Sequence, residues 1–334
     1  MNVAVIGSGS WGTAVAAMVA ARVPTTLWTR RDEVAAQMNS YRENKSYLPG
    51  IILPEALVVT SDLTAALEGT DVVVLAVPSH GFRDVLESAK DLVAPDACVV
   101  SLSKGVERGS QLRMTEVAAE VLSIDPSRIG VLTGPNLARE VALGQPAAAV
   151  IAIPDQAVAE MLQAMFMQSA FRVYTNPDVI GCESAGALKN VMAIAAGMAH
   201  GLGYGDNSKA ALVTRALAEL TRLGVALGGA PLTFAGLAGM GDLVATCFSD
   251  QSRNRRVGVE LGRGKSLETI VAEMSMVAEG VKSTEAILVL AERNQIEMPI
   301  AEMVGSVLYE GSKPADMVEG LMTREAKAEL HGIG

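Results

Sequence analysis

Three histidines and three cysteines are all that these 334 residues contain, and aromatic side chains make up only 4 %. His80, His200 and His331 are scattered, and Cys98, Cys182 and Cys247 are equally far apart, without a CxxC or a Cys/His ligand spacing. No metal site is therefore expected, and the thiols read as buried and free in a reducing compartment. Basic charge is also short: 27 Lys and Arg stand against 37 Asp and Glu, for a net charge of -10. Binding a nucleic-acid backbone needs a basic face, which excludes nucleic acid as a partner. A small anion needs only a local cluster and stays open. No basic segment precedes the first apolar residues, and the longest apolar stretches are broken by Arg22 and Pro24 or by Gln145 and Pro146. Neither a leader nor a membrane insertion is expected, and the cytoplasm is the expected location.

Half of the chain is hydrophobic, so with few aromatic rings the core must be built from aliphatic side chains and alanine. The length suits two domains. In the first half, short apolar runs read as buried strands: Val3–Ile6, Thr25–Trp28, Val72–Val77, Cys98–Leu102, Ile129–Leu132 and Ala147–Ile153. Their unbroken apolar character fits a parallel sheet covered on both faces. Helical patterns at Trp11–Arg22, Ser79–Leu92, Leu112–Leu122, Asn136–Leu143 and Gln156–Met167 alternate with them, the mark of a doubly wound α/β domain. After Tyr174 the pattern becomes helical, with Leu188, Met192, Ala195 and Ala199 on one face. The division expected is a dinucleotide-binding domain over residues 1–178 and a mostly α-helical substrate and catalytic domain over 179–334.

Within Val3–Val15, the stretch Gly7-Ser8-Gly9-Ser10-Trp11-Gly12 is a G-x-G-x-x-G between a strand and a helix, the context that gives this pattern its meaning. Gly7 makes the tight turn, Gly9 lets the backbone approach a pyrophosphate, and Gly12 lets helix and strand pack closely, which makes a Rossmann-type cofactor site. The helix N-terminus adds unpaired N–H groups and partial positive charge. An NAD-specific fold places Asp or Glu at the end of the second strand. Here Thr29-Arg30-Arg31 follows instead, which favours the 2′-phosphate of NADP, while Asp32 keeps NAD open.

Further along are Ser103-Lys104-Gly105, Gly134-Pro135-Asn136-Leu137-Ala138 and Glu183-Ser184-Ala185-Gly186-Ala187-Leu188-Lys189-Asn190-Val191. Then come Gly236-Leu237-Ala238-Gly239-Met240-Gly241-Asp242-Leu243, the run Ser252-Arg253-Asn254-Arg255-Arg256, and Val277-Ala278-Glu279-Gly280-Val281-Lys282. With Tyr47-Leu48-Pro49-Gly50, this ordered set resembles the bacterial NAD(P)-dependent glycerol-3-phosphate dehydrogenases from Val3 to about Gly320. The resemblance implies reversible reduction of dihydroxyacetone phosphate to sn-glycerol 3-phosphate, feeding glycerophospholipid synthesis. It implies Lys189 as general acid for reduction and general base for oxidation, assisted by Lys104 and Asp242. A ketone accepting hydride becomes an alkoxide that needs a proton donor and a nearby positive charge, and a lysine in an apolar run is costly to bury without function.

By the same resemblance, Lys104 touches both cofactor and substrate. Ser10, Trp11, Ala138, Arg253, Val277 and Glu279 touch cofactor, and Gly134 and Asn136 line the substrate side. From the residues themselves, Asp242 is assigned to hydrogen-bond substrate and orient the lysines, and Ser252, Arg253 and Asn254 offer a hydroxyl, a bidentate guanidinium and an amide to the substrate phosphate. Family members often carry Ser or Thr where Asn136 stands. Read on composition alone, Lys104 also fits a solvated loop, Asp242 a helix cap, and the arginine-rich run an exposed helix start. Two other functions compete. A β-hydroxy acid or hydroxyacyl thioester dehydrogenase would not be expected to carry Ser-Arg-Asn-Arg-Arg, and a non-catalytic NADP sensor has no need of two lysines. Family members are often dimers, and the Ala- and Met-rich helical half allows a homodimer.

Overall fold

A computed structural model describes residues 1–274, 278–323 and 325. Contacts divide the chain into two compact units: Met1–Ser103 with Arg113–Val179, and Lys104–Leu112 with Ile180–Gly334.

The first unit is built on eight strands: β1 (Val3–Ile6), β2 (Thr25–Trp28), β3 (Leu57–Thr60), β4 (Val72–Leu75), β5 (Cys98–Ser101), β6 (Ile129–Thr133), β7 (Ala147–Ala152) and β8 (Phe171–Asn176). They form one sheet in the order β3-β2-β1-β4-β5-β6-β7-β8. Helices α1 (Ser10–Ala20), α2 (Asp32–Tyr41), α3 (Leu63–Leu67), α4 (Phe82–Ala89), α5 (Met114–Leu122), α6 (Ala138–Ala142) and α7 (Gln156–Phe166) fill the connections. The strand order reverses between β1 and β4, which pair in parallel with Val3 beside Val72. In such sheets the crevice beyond the strand ends at this reversal is where ligands bind. The six strands read from the sequence are all present. The two not anticipated, β3 and β8, are the sheet edges. Val58, Arg172 and Tyr174 on them are exposed while Leu57, Val59, Phe171 and Val173 are buried. Half-wet edges alternate, so a search for unbroken apolar runs passes over them. The expectation of a parallel sheet needs one correction: β6 and β7 pair antiparallel, Leu132 opposite Ile151. The connection between them, with only the five-residue α6, returns at the same end of the sheet instead of crossing over.

The second unit is helical: α8 (Val179–Gly201), α9 (Asp206–Ala226), α10 (Pro231–Phe234), α11 (Asp242–Phe248), α12 (Arg253–Gly262), α13 (Leu267–Glu273), α14 (Glu279–Arg293), α15 (Pro299–Tyr309) and α16 (Pro314–Met322). One turn of π-helix, Leu237–Gly241, leads into α11. The one-face stripe expected for α8 is not what forms: every residue from Gly181 to Ala199 is buried, so α8 is the central rod of this unit. Among the described residues, two stretches are long and apolar enough to cross a membrane, Val179–Gly201 and Pro231–Phe248, where the sequence reading expected none. The first is 89 % buried within the protein, and a core helix meets the same length and hydropathy test.

Small residues let a neighbour lie directly on α8. A Cβ on Gly197 would stand 2.1 Å from the Arg255 carbonyl oxygen, and one on Gly201 2.3 Å from that of Val259. From the other side, a Cβ on Gly258 would stand 2.0 Å from the Ile194 oxygen, and one on Gly262 2.5 Å from that of Met198. Glycines four apart on both helices thus form a seam along which α8 and α12 touch backbone to backbone.

Candidate active site

In the first unit the chain leaves β1 into the glycine turn. Gly7 has φ +115°, a conformation open to glycine, and a Cβ there would meet the Ala76 oxygen at 2.6 Å. Its N–H donates to the Trp28 carbonyl at 3.1 Å, which ties the turn to the end of β2. A Cβ on Gly12 would meet the Gly7 oxygen at 2.0 Å, whereas one on Gly9 would meet nothing within 4 Å. The first and third glycines are thus required by packing inside the protein. The second is not, and leaves open space at the start of α1. No side chain caps α1 at Gly9, and the Trp11 indole N–H is buried with no partner. A phosphate-bearing dinucleotide fits this set: free room, a helix N-terminus and an unmatched donor.

The residues predicted around the turn fall as follows. Ser10 donates from its hydroxyl to the Tyr47 carbonyl at 2.6 Å. Ala138 opens α6 and packs with Trp11 against Ala14, Leu48 and Ile51. Arg30 and Arg31 follow β2 and are exposed, Arg31 lying 3.7 Å from Glu33. Gly134 takes φ +129° just after β6, where a Cβ would meet the Ala149 Cα at 3.1 Å, so the fold itself requires that glycine. Asn136 lies two residues on, half-buried.

The second unit assembles residues far apart in sequence. Lys104 Nζ donates to Asp242 Oδ2 at 2.6 Å, and Lys189 Nζ lies 3.0 Å from Asp242 Oδ1. Lys189 also donates to Thr246 Oγ1 at 2.5 Å, and Thr246 donates to Asp242 Oδ1 at 3.2 Å. Lys189 and Asp242 are 5 % and 3 % exposed, and the Lys104 side chain is 17 % exposed. Two ammonium groups share one carboxylate, so the fully protonated cluster carries surplus positive charge. Burial lowers the Lys104 ammonium to about 8, Asp242 opposing the shift and Lys189 adding to it. Cys247, nearby on α11, is pushed up to about 12 by burial and stays a thiol.

Carboxamides hold this cluster in place. Asn190 Nδ2 donates to the Lys104 carbonyl, Asn254 Nδ2 to Asn190 Oδ1, and the Gly280 N–H to Asn254 Oδ1, each at 2.9 Å. The chain of bonds runs from the start of α14 through α12 and α8 to the Lys104 segment. It gives a physical reason for residues 104–112 to cluster with the helical unit. Ser252 caps α12 by accepting from the Arg255 N–H at 3.2 Å, Arg253 next to it is exposed, and Glu279 opens α14. Val277 lies outside the described residues. Thr246, Asn190 and Asn44 were not anticipated. Thr246 had a signal, being four residues from Asp242 on one helix; Asn190 had only its place beside Lys189. Among the described residues no group of three metal-ligating side chains occurs.

Two family models match in sequence order. One, described as the N-terminus of NAD-dependent glycerol-3-phosphate dehydrogenase, matches residues 2–159. The other, described as its C-terminus, matches residues 178–319. A Sphingopyxis alaskensis protein named glycerol-3-phosphate dehydrogenase (NAD(P)+) 2 is 53 % identical over 331 residues, covering 99 % of each chain. A Corynebacterium glutamicum protein named glycerol-3-phosphate dehydrogenase (NAD(P)+) is also 53 % identical over 331 residues, 98 % of this chain and 100 % of its own. The crystal structure of glycerol-3-phosphate dehydrogenase from Coxiella burnetii superposes with a TM-score of 0.92 at 37 % identity, covering 97 % of this chain and 99 % of the other.

Proposed function

Because the chain belongs to the NAD-dependent glycerol-3-phosphate dehydrogenase family, we propose that it reversibly reduces dihydroxyacetone phosphate to sn-glycerol 3-phosphate, with Lys189 as the proton donor. The observation that carries this reading is the buried Lys189 held on Asp242 and Thr246. A bound NADPH or NADH supplies the hydride. As the ketone carbon is reduced, its oxygen takes the proton from Lys189 Nζ, which is left neutral and regains a proton from solvent. Oxidation runs the same path backwards, with neutral Lys189 as base. Asp242 holds and aims both lysine side chains, and the positive charge on Lys104 stabilises the developing alkoxide.

Substrate phosphate is assigned to Ser252, Arg253 and Asn254, where an exposed guanidinium offers bidentate, charge-assisted bonds. Gly134 and Asn136 are assigned to the substrate, and Ala138, Arg253, Val277 and Glu279 to the cofactor, alongside the glycine turn with Ser10 and Trp11. Lys104 is assigned to both. Residues 1–178 carry the dinucleotide and 179–334 the substrate chemistry, with Lys104 contributed from the first stretch of sequence. NADP is preferred over NAD, on the exposed Arg30 and Arg31 where an acidic residue would otherwise bind the ribose. The product serves glycerophospholipid synthesis in the cytoplasm. A homodimer is the assembly proposed, and the exposed Met240, Val244 and Phe248 at helical spacing support it. Steady-state reduction of dihydroxyacetone phosphate with NADPH and NADH side by side tests the reading. We expect ketone-dependent oxidation of both, faster with NADPH at low cofactor; no ketone-dependent oxidation of either would overturn it.

A further inference from the structure

Asn44 stands in the segment between α2 and β3, is 2 % exposed, and takes no part in the chemistry above. Its carboxamide nitrogen donates to the Ser8 carbonyl and to Thr13 Oγ1, each at 2.8 Å. Its Oδ1 accepts the Tyr47 N–H at 3.2 Å. Thr13 Oγ1 also donates to the Ser8 carbonyl, at 3.2 Å. Two donors therefore converge on one carbonyl oxygen in the middle of the glycine turn.

That carbonyl belongs to the Ser8–Gly9 peptide, whose plane turns about ψ of Ser8 and φ of Gly9. Glycine on one side lowers the cost of that rotation, so the orientation has to be set from outside the turn. A trans peptide points its C=O and its N–H in opposite directions. Drawing the Ser8 oxygen towards Asn44 and Thr13 therefore turns the Gly9 N–H away from them. Among the described residues that N–H donates to no protein atom, and the space beside Gly9 is open. Rotated the other way, the peptide would present an oxygen lone pair to the same space and repel an anion.

We propose that Asn44 is a positioning residue for the dinucleotide, locking the Ser8–Gly9 peptide so that an N–H faces the pyrophosphate. The proposal rests on the glycine turn being the dinucleotide site. The Ser8 hydroxyl, donating to Thr29 Oγ1 at 2.8 Å, anchors the side chain but leaves the peptide plane free. The clamp on the plane comes from Asn44, with Thr13 as its second donor.

The test is titration of the purified full-length protein with NADPH, followed by quenching of tryptophan fluorescence, together with a thermal melt of each variant. Asn44→Asp keeps the shape but replaces the donor with an acceptor. It should weaken NADPH binding by about ten- to a hundredfold, the range for a bond to a charged group. The Michaelis constant for NADPH should rise in step, and that for dihydroxyacetone phosphate should change far less. Asn44→Ala, which adds no charge, takes over the test if Asn44→Asp does not fold, with a similar loss expected. Thr13→Ser should bind like the parent, while Thr13→Val should bind a few-fold more weakly. NADPH affinity within twofold of the parent in a folded Asn44 variant, with or without a lower melting temperature, would overturn the proposal. Failure of the parent itself to bind NADPH or NADH would instead overturn the dinucleotide reading of the turn.

Discussion

In the sheet unit, the proposed cofactor turn Gly7–Gly12 offers an anion main-chain N–H groups, the positive end of α1 and empty room. In the helical unit, Lys104 and Lys189 bring whole charges, held on one buried carboxylate. The first arrangement needs no ionisable group and so binds without regard to pH. It depends on a backbone shape that only glycine fits at two positions. The second depends on proton occupancy, which burial has moved towards neutrality for Lys104. The proposed function puts binding on the part that cannot titrate and proton transfer on the part that must.

The sharpest way to break this division is Lys189→Ala. Turnover should fall by at least about 10²–10⁴-fold, the usual contribution of general acid catalysis, with NADPH affinity within a few-fold of the parent. Single-turnover hydride transfer and a fluorescence titration on the same preparation decide it; a transfer rate near the parent's would sink the assignment. Arg30→Asp comes next. It should shift the NADPH-to-NADH preference by about ten- to a hundredfold, from loss of a charge-assisted phosphate bond, as read from kcat/KM with each cofactor. Equal losses for both would remove Arg30 from specificity.

A smaller effect separates the glycines from one another. Gly12→Ala puts a methyl group against the Gly7 oxygen and should cost about 1–3 kcal/mol, the range for overpacking, in urea unfolding. Gly9→Ala meets no neighbour, so it should leave stability nearly unchanged and weaken cofactor binding instead. Equal destabilisation by both would mean the turn has no reserved space. The smallest change is in pH dependence. Lys104 is lowered to about 8, so its charge is present below that pH and lost above it. A step that needs the cation should then slow as pH rises through about 8, by at most about tenfold per pH unit. Lys104→Arg should carry that limb of the kcat/KM profile to higher pH.

How much of this could be read from the residues alone follows the same division. The glycine turn was legible because its requirements are local: strand, turn and helix are contiguous, and the spacing states the geometry. The interior strands were legible because burial on both faces leaves an unbroken apolar run, and the edge strands β3 and β8 were not because one face is wet. The antiparallel step at β6 and β7 left no trace in composition, since both strands are as apolar as their parallel neighbours. The lysine–carboxylate cluster was named through resemblance, not pattern. Nothing in the local sequence says that Lys104 meets Asp242, or that Asn190 and Asn254 join Lys104 to the start of α14. Asn44 escaped notice because a buried asparagine in a loop looks like any turn residue until its two partners are seen.

The seam of glycines between α8 and α12 has a mechanical consequence. With no side chains between the two backbones, there is no soft layer to compress and no rotamer to slip. Lys189 and Asn190 sit about two turns, or about 12 Å, before Gly197 on one helix. Arg253 and Asn254 sit about one turn before Gly258 on the other. The pair therefore behaves as a fixed gauge whose setting was cut into the main chain. On the proposed substrate assignment, this spacing is not a soft variable, because no side-chain layer lies between the two backbones to give. Any retuning of reach has to come from the loops that lead into them.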